Sequence, residues 1–326
     1  MKAVSLISGG LDSTLATYLV KQQGIEVIGV NFRTPFCACP AARRGGCAGK
    51  EAQKFLKIPL KLIFIGEEML KIVKNPRFGY GQGLNPCIDC KILMLRKAKK
   101  IMEEEGAEFV ITGEVLGQRP MSQKREIMEL IERESGLEGR ILRPLCTRHL
   151  PPTIPEREGW VRREELLDIQ GRSRKVQMML AEKIGLKEYP SPAGGCLLTD
   201  PTFSRRMRDL MENNPEFGLR EVELLKLGRH FRLSSGIKAV VGRNEEENEK
   251  IERLRVPEEV VLQVEGGKGA VVLLEARAEK GDMEEGGKLA AFYSKKREDR
   301  EVKVLWNKGK ERGEVVVEPE KVGRMI

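Results

Sequence analysis

Apolar runs rich in Val, Ile and Leu alternate with amphipathic stretches through the first half of the chain. Ala3 to Ile7, Val27 to Phe32, Leu60 to Ile65 and Phe109 to Thr112 read as strands buried on both faces; Leu15 to Lys21, Lys50 to Leu56 and Ile92 to Glu105 read as helices between them. Strand and helix in turn predict a doubly wound parallel sheet, whose ligands bind beyond the carboxyl ends of the strands. That rule marks the loops after Ile7, Phe32 and Ile111. From Arg143 to Pro201 the pattern loosens, with Pro151, Pro152, Pro155, Pro190 and Pro192 around two helical segments, Arg163 to Ile169 and Lys175 to Ile184. After a helix at Phe203 to Glu212 and a turn at Asn213 to Pro215, a second alternation begins. Its strands lie near Ala239 to Val241, Val260 to Val264, Val271 to Leu274, Val302 to Trp306 and Val315 to Val317, with helices at Glu245 to Leu254 and Lys288 to Lys296. The expectation is an α/β domain over residues 1–215 and a smaller α+β domain over residues 216–326.

No stretch reaches the roughly 18 consecutive apolar residues of a membrane span, and Met1 to Ser8 carries no basic leader or cleavage site. A soluble, cytoplasmic protein with no membrane partner is expected. Seven cysteines among 326 residues form an odd set in a chain rich enough in aliphatics to need no disulfide framework. A reducing compartment follows, and with it metal or sulfur chemistry for the thiols. Lys and Arg outnumber Asp and Glu by 58 to 49; residues 204–326 hold 26 basic and 25 acidic side chains, so an excess of +8 falls on residues 1–203. Such a surface favours polyanions through counterion release, although a merely solvated charged surface reads the same way.

Directly after the first strand stands Ser8-Gly9-Gly10-Leu11-Asp12-Ser13-Thr14, and an amphipathic helix follows. Two glycines permit a tight turn, and backbone N–H groups with two hydroxyls at a helix N-terminus make an anion cradle. No Lys follows the glycines as in a Walker loop, which argues against ordinary γ-phosphate hydrolysis. The arrangement resembles the pyrophosphate loop (PP-loop) of ATP pyrophosphatases of the adenine nucleotide alpha hydrolase-like fold, enzymes that cleave ATP to AMP and pyrophosphate. Further on, Thr112-Gly113-Glu114, Leu116-Gly117-Gln118, Ser122-Gln123 and Arg143-Pro144-Leu145 are similar to the corresponding run of the 4-thiouridine synthase family of tRNA-thiolating enzymes. That resemblance covers roughly the first 190 residues. It implies ATP bound by residues Ser8 to Thr14, by the end of the second strand near Asn31 and by the Thr112-Gly113 turn, with Asp12 binding Mg2+ or capping its helix.

Cys87 and Cys90 form a CxxC at the start of the long helix, where the helix N-terminus stabilises thiolate. Cys196 ends the small-residue turn Ser191 to Cys196. Taken alone, these thiols fit a zinc site, a persulfide or disulfide pair, or no chemistry. In a branch of the tRNA thiolases similar positions hold a [4Fe-4S] cluster by three thiolates and leave one iron open for sulfide, so the resemblance implies Cys87, Cys90 and Cys196 as cluster ligands. Cys37, Cys39 and Cys47 fall in a basic insertion, Pro35 to Gly49, and suggest a second site for zinc or another metal, with Cys146 or His149 completing it. With two histidines in the chain, an imidazole-centred triad is not expected.

In the second module, Leu227 to Arg232, Val241 to Asn248 and Leu289 to Lys296 resemble the RNA-binding domain of NFACT ribosome quality-control proteins. The resemblance implies phosphate contacts at Arg229, Arg243, Lys295, Lys296 and Arg297, with His230 or Phe231 stacking on a base. The 4-thiouridine synthases usually place an RNA-binding region before the phosphate loop; here the second module would replace it. The combined expectation is an ATP-dependent tRNA sulfurtransferase that adenylates a uridine carbonyl oxygen and replaces it with sulfur. It would give 4-thiouridine or 2-thiouridine and use tRNA and a sulfide or persulfide donor, with a homodimer left open. Competing readings are a PP-loop enzyme amidating a small metabolite and an RNA-binding factor without activity.

Overall fold

The computed structural model describes residues 1–37, 48–189, 195–267 and 269–326, which fold as two units, Met1–Asp200 and Pro201–Ile326. In the first, β1 (Lys2–Leu6), β2 (Glu26–Arg33), β3 (Leu60–Phe64), β4 (Phe109–Ile111) and β5 (Ile141–Leu142) pair in parallel in the order β3-β2-β1-β4-β5. Strand order reverses between β1 and β4, so the loops leaving these two strands diverge and open a crevice there. The helices are α1 (Leu11–Gln22), α2 (Ala48–Leu56), α3 (Gly66–Lys74), α4 (Cys87–Glu104) and α5 (Arg125–Ser135), then α6 (Ile154–Arg157) and α7 (Lys175–Lys183).

Two apolar clusters hold this unit together. One gathers Leu11, Leu15 and Val20 of α1 with Phe109 and Ile111; the other gathers Ile92, Leu95, Ala98, Ile101 and Met102 of α4 with Val4, Val30, Val110 and Ile131. The α4 residues recur at helical spacing, and each large side chain so buried contributes about 1.5–3 kcal/mol. Helix positions are thereby fixed from opposite faces of the same strands. Two expectations fail here. β3 is an edge strand whose Lys61, Leu62 and Phe64 are exposed, not a strand buried on both faces. Residues 163–169 form only a single turn at Arg163–Glu165; beyond it the chain is extended, with Leu167 N–H donating to the Pro144 carbonyl at 2.9 Å and Ile169 N–H to that of Leu145 at 2.8 Å.

The second unit opens with α8 (Pro201–Asn213) and α9 (Leu219–Leu225). Its antiparallel sheet has the order β11-β10-β8-β9-β7-β6-β12, built from β6 (Arg229–Arg232), β7 (Lys238–Val241), β8 (Val260–Val264), β9 (Val272–Leu274), β10 (Val302–Lys308), β11 (Glu311–Val317) and β12 (Arg324–Met325). α10 (Glu245–Leu254) begins at Asn244, whose side chain accepts the Glu247 N–H at 2.9 Å. The division falls at Asp200, ahead of the expected 215, because α8 is tied into this sheet. Asp209 accepts two hydrogen bonds from Arg232, each 2.9 Å, and one from Lys238 at 3.1 Å, all three side chains being buried. α11 (Lys280–Phe292) also starts eight residues before the expected Lys288. Gly286 and Gly287 hide it in the sequence, yet they let it lie against Leu262, Leu274 and Val315.

Candidate active site

The segment between β1 and α1 is shaped by its own small residues. Gly9 has φ of +81°, a conformation that glycine adopts without strain, and Gly10 caps α1 with extended backbone and no side chain of its own. Ser8 Oγ accepts the Gly10 N–H at 3.2 Å and lies 3.1 Å from Ser13 Oγ; Ser13 and Thr14 hydroxyls both donate to the Gly10 carbonyl at 3.0 Å. Free N–H groups at the start of α1 therefore face the open side of the crevice beside these hydroxyls. Leu11 is buried in the core and serves as the anchor of the loop.

Asn31, buried in β2, donates its side-chain amide to the Ile7 carbonyl at 2.5 Å and so braces the strand that carries the loop. The Thr112-Gly113 turn presses on the loop from the other side. A Cβ at Gly113 would lie 2.5 Å from Ser13 N and 2.6 Å from the Asp12 carbonyl carbon, so only glycine allows two backbones to meet there. Every residue that the sequence assigns to the nucleotide lies at this end of β1, β2 and β4.

Asp12 is held by Gln118, whose Nε2 donates to Oδ2 at 3.2 Å, while Oδ1 is buried without a close partner among the described residues. Burial raises the pKa of Asp12, against the opposing pull of Arg174, Gln118 and Arg119. Among the described residues Ser122 Oγ, Gln123 Oε1 and Arg174 Nε are likewise buried without partners. Orphaned polar atoms around a helix N-terminus fit a polyphosphate with its magnesium: the desolvated Asp12 carboxylate suits the cation and the loop donors suit the anion.

Glu114 is the hub of a buried network. It accepts from Lys91, from Arg143 Nε at 3.0 Å and from Thr112 Oγ1 at 3.2 Å, and Arg143 also pairs with Glu132. Burial would raise the Glu114 pKa, but the Lys91 and Arg143 charges outweigh it and hold the carboxyl at about 2. The depressed pKa stabilises the folded state fully above the ordinary 4.5 and less as pH falls from there toward 2, in all about 3 kcal/mol. Wild type is expected to lose that increment on acidification and Glu114→Gln to lack it. Urea unfolding of both proteins across that pH range measures it, and parallel profiles would exclude Glu114 as the source.

Lys91 directly follows the CxxC, so this network also ties the cysteine helix to the Thr112-Gly113 turn. Asn85-Pro86 starts α4, and Asp89 within the motif accepts N–H bonds from Arg77 at 3.2 Å and Phe78 at 3.1 Å, pinning the preceding loop. Cys87 Sγ accepts from Asn85 Nδ2 at 3.1 Å. Cys196 reaches the same place from the far end of the unit. Burial raises the pKa of Cys90 to about 12, with Cys196, Cys87 and Cys37 adding like charge, and that of Cys196 also to about 12, with Cys87 and Cys37 adding to burial. Thiols so crowded ionise together only when positive charge joins them. Lys91, next to Cys90, bonds Glu114, and the turn that carries Glu114 meets the backbone of Asp12 and Ser13, which puts the loop and the cysteine helix in one neighbourhood.

Cys37, which the sequence groups with Cys39 and Cys47, pairs with Cys196 in an antiparallel bridge, which sets it beside the first group of thiols. Cys39 and Cys47 lie outside the described residues, as do residues 190–194 of the turn before Cys196. Cys146 is buried in the apolar core and donates its S–H to the Glu114 carbonyl at 3.3 Å, and His149 Nε2 lies 2.5 Å from the Asp168 carbonyl, so both are structural. Among the described residues no three Cys, His, Asp or Glu side chains are drawn together tightly enough to hold a single metal ion. The donor set nevertheless fits an iron–sulfur cluster. A tetrahedral zinc needs sulfurs about 3.8 Å apart, whereas a cubane of four irons spreads its thiolates farther.

In the second unit the expected base-stacking residues, His230 and Phe231, are fully buried: β6 is covered on both faces, and the His230 ring bonds the Leu227 carbonyl at 2.8 Å. Arg243 is bound to Glu247 through its Nε at 2.9 Å and 3.0 Å, which neutralises its charge. Lys295, Lys296 and Arg297 are exposed. Beside them the sequence reading overlooked Phe292 and Tyr293, partly exposed, in edge-to-face contact at 5.0 Å, with Arg297 4.2 Å over Phe292 and Arg229 4.6 Å over Tyr293. Their signal was an aromatic pair next to a basic cluster.

Comparison with known proteins follows the same division. Residues 1–149 match the family model described as thiamine biosynthesis protein (ThiI), and residues 228–324 match that of the NFACT protein RNA binding domain. A probable tRNA sulfurtransferase of Thermococcus kodakarensis is 34% identical over 146 residues, 44% of this chain and 36% of that protein. The tRNA-specific 2-thiouridylase MnmA of Petrotoga mobilis is 32% identical over 130 residues, 35% of each chain. The chain thus spans about a third of the length of these curated relatives. A crystal structure of a 4-thiouridine synthetase–RNA complex with bound ATP aligns at 24% identity with a TM-score of 0.40, over 68% of this chain and 52% of that one. Among the described residues no helix is long and apolar enough to cross a membrane. The chain therefore resembles the ThiI family over residues 1–149 and the NFACT RNA-binding domain over residues 228–324, the two resemblances that its motifs carry.

Proposed function

We propose that the protein is an ATP-dependent tRNA sulfurtransferase, with residues 1–200 as its catalytic unit and 201–326 as its RNA-binding unit. The observation that carries this reading is the meeting of the phosphate loop and the cysteine helix at one end of a parallel sheet, linked through Lys91, Glu114 and the Gly113 turn. The loop N–H groups with Ser13 and Thr14 bind the phosphates of ATP, and Mg2+ on Asp12 offsets their charge. A uridine carbonyl oxygen attacks the α-phosphorus, pyrophosphate leaves, and the oxygen is left as part of an adenylate that departs as AMP. Lys91, held by Glu114, keeps the turn at Gly113 in register with the thiols. Cys87, Cys90 and Cys196 would hold a [4Fe-4S] cluster, which when bound supplies sulfide as the replacing nucleophile. Whether the product carries sulfur at C4 or C2 is read by nucleoside mass spectrometry of tRNA from cells lacking the protein; loss of a single thionucleoside names it. AMP formation that needs ammonia and a metabolite rather than tRNA would overturn the proposal.

On the RNA side, Lys295, Lys296 and Arg297 face phosphates, and Phe292 and Tyr293, backed by Arg297 and Arg229, provide an aromatic surface for a base. Replacing Lys295, Lys296 and Arg297 together by Ala is expected to weaken tRNA binding. The log–log salt slope should fall by about 0.7–0.9 for each phosphate that is no longer neutralised. Binding curves at several salt concentrations measure this, and an unchanged slope removes these side chains from the footprint.

A further inference from the structure

We propose that Cys37 is a fourth thiolate donor to the centre of Cys87, Cys90 and Cys196, closing the iron that those three would leave open. The inference rests on the cluster reading above and deepens it. Cys37 lies just beyond β2, and its bridge to Cys196 is of a particular kind: Leu197 N–H donates to the Phe36 carbonyl at 2.8 Å, the bond that flanks a non-hydrogen-bonded pair. Residues so paired have Cα atoms about 4.5 Å apart and side chains on the same face. Cys37 and Cys196 therefore project together.

Cys37 Sγ accepts the Thr34 N–H at 3.4 Å with the Thr34 hydroxyl at 3.5 Å, as Cys87 Sγ accepts from Asn85. Donors aimed at sulfur stabilise thiolate and tune a cluster bound to it. Cys146 lies apart from this group, in the apolar core, with its S–H donated to the Glu114 carbonyl.

A protein thiolate on the fourth iron would shield it at rest. With a cluster bound, Cys37 would be the exchangeable ligand, leaving as thiolate when a sulfide donor takes its place, with no change of oxidation state.

The test uses the full chain, reconstituted anaerobically with iron and sulfide as wild type, Cys37→Ala and Cys37→Ser. All three are expected to bind about four irons. On titration with ferricyanide the two variants should lose one iron and give the electron paramagnetic resonance signal of a [3Fe-4S] cluster, while wild type keeps four. Folded variants that bind no iron beside a brown wild type would also count Cys37 among the donors. Equal loss of one iron from all three proteins overturns the proposal and leaves the three-cysteine reading standing. A wild type that takes up no iron overturns both.

Discussion

Asp12→Asn is expected to reduce tRNA-dependent AMP and pyrophosphate formation by at least about 100-fold while the protein stays folded, since Asn keeps the shape and the Gln118 hydrogen bond but loses the charge that would hold magnesium. Gly113→Ala should do equal harm by another route. Its Cβ would fall 2.5 Å from Ser13 N, and the atoms it meets are backbone, so no side-chain rotation relieves the clash. The loop or the turn must move, and a displacement near 1 Å at a reacting centre costs about 100-fold. Circular dichroism separates lost chemistry from lost fold, and coupled pyrophosphate assays report the rate. Near-normal pyrophosphate release in both variants would remove the phosphate loop from the reaction.

Much of this site was legible in the sequence because its signals are local. A strand, two glycines, hydroxyls and a helix follow one another without interruption, and the apolar runs of β1, β2 and β4 set the loops at one end of a parallel sheet. The CxxC announces itself by spacing. The parts that escaped depend on residues far apart in the chain. Cys37 meets Cys196 only because the end of β2 runs beside the chain entering Leu197, and Lys91 meets Glu114 only because α4 packs beside β4. Burial was the other blind spot. In Arg229-His230-Phe231-Arg232 the sequence shows an aromatic and an imidazole among arginines, which resembles an RNA contact, yet β6 is interior to its sheet and both rings are enclosed. α11 was misplaced because the glycine pair that allows its close packing also lowers its helix propensity.

Sulfur transfer and adenylation should come apart in the cysteine variants. Cys87→Ser, Cys90→Ser and Cys196→Ser are each expected to lose the brown colour of anaerobically purified protein, with iron and sulfide falling from about four per chain, and to lose thionucleoside formation. AMP formation should persist in all three. The phosphate loop is built from Ser8 to Thr14, Asn31 and the Gly113 turn; among the described residues their bonds run to one another and not to Cys87, Cys90 or Cys196, and Lys91 keeps its bond to Glu114 whatever stands at position 90. Cys146→Ser should keep colour and sulfur transfer, since its thiol lies in the core with its S–H on the Glu114 carbonyl, apart from the other cysteines. Iron and sulfide analysis, AMP release and nucleoside mass spectrometry on the same preparations decide the matter. A colourless anaerobic preparation that still thiolates tRNA would move the chemistry to a persulfide on Cys196 or the CxxC, and loss of AMP formation together with colour would mean that the thiols hold the nucleotide site in shape.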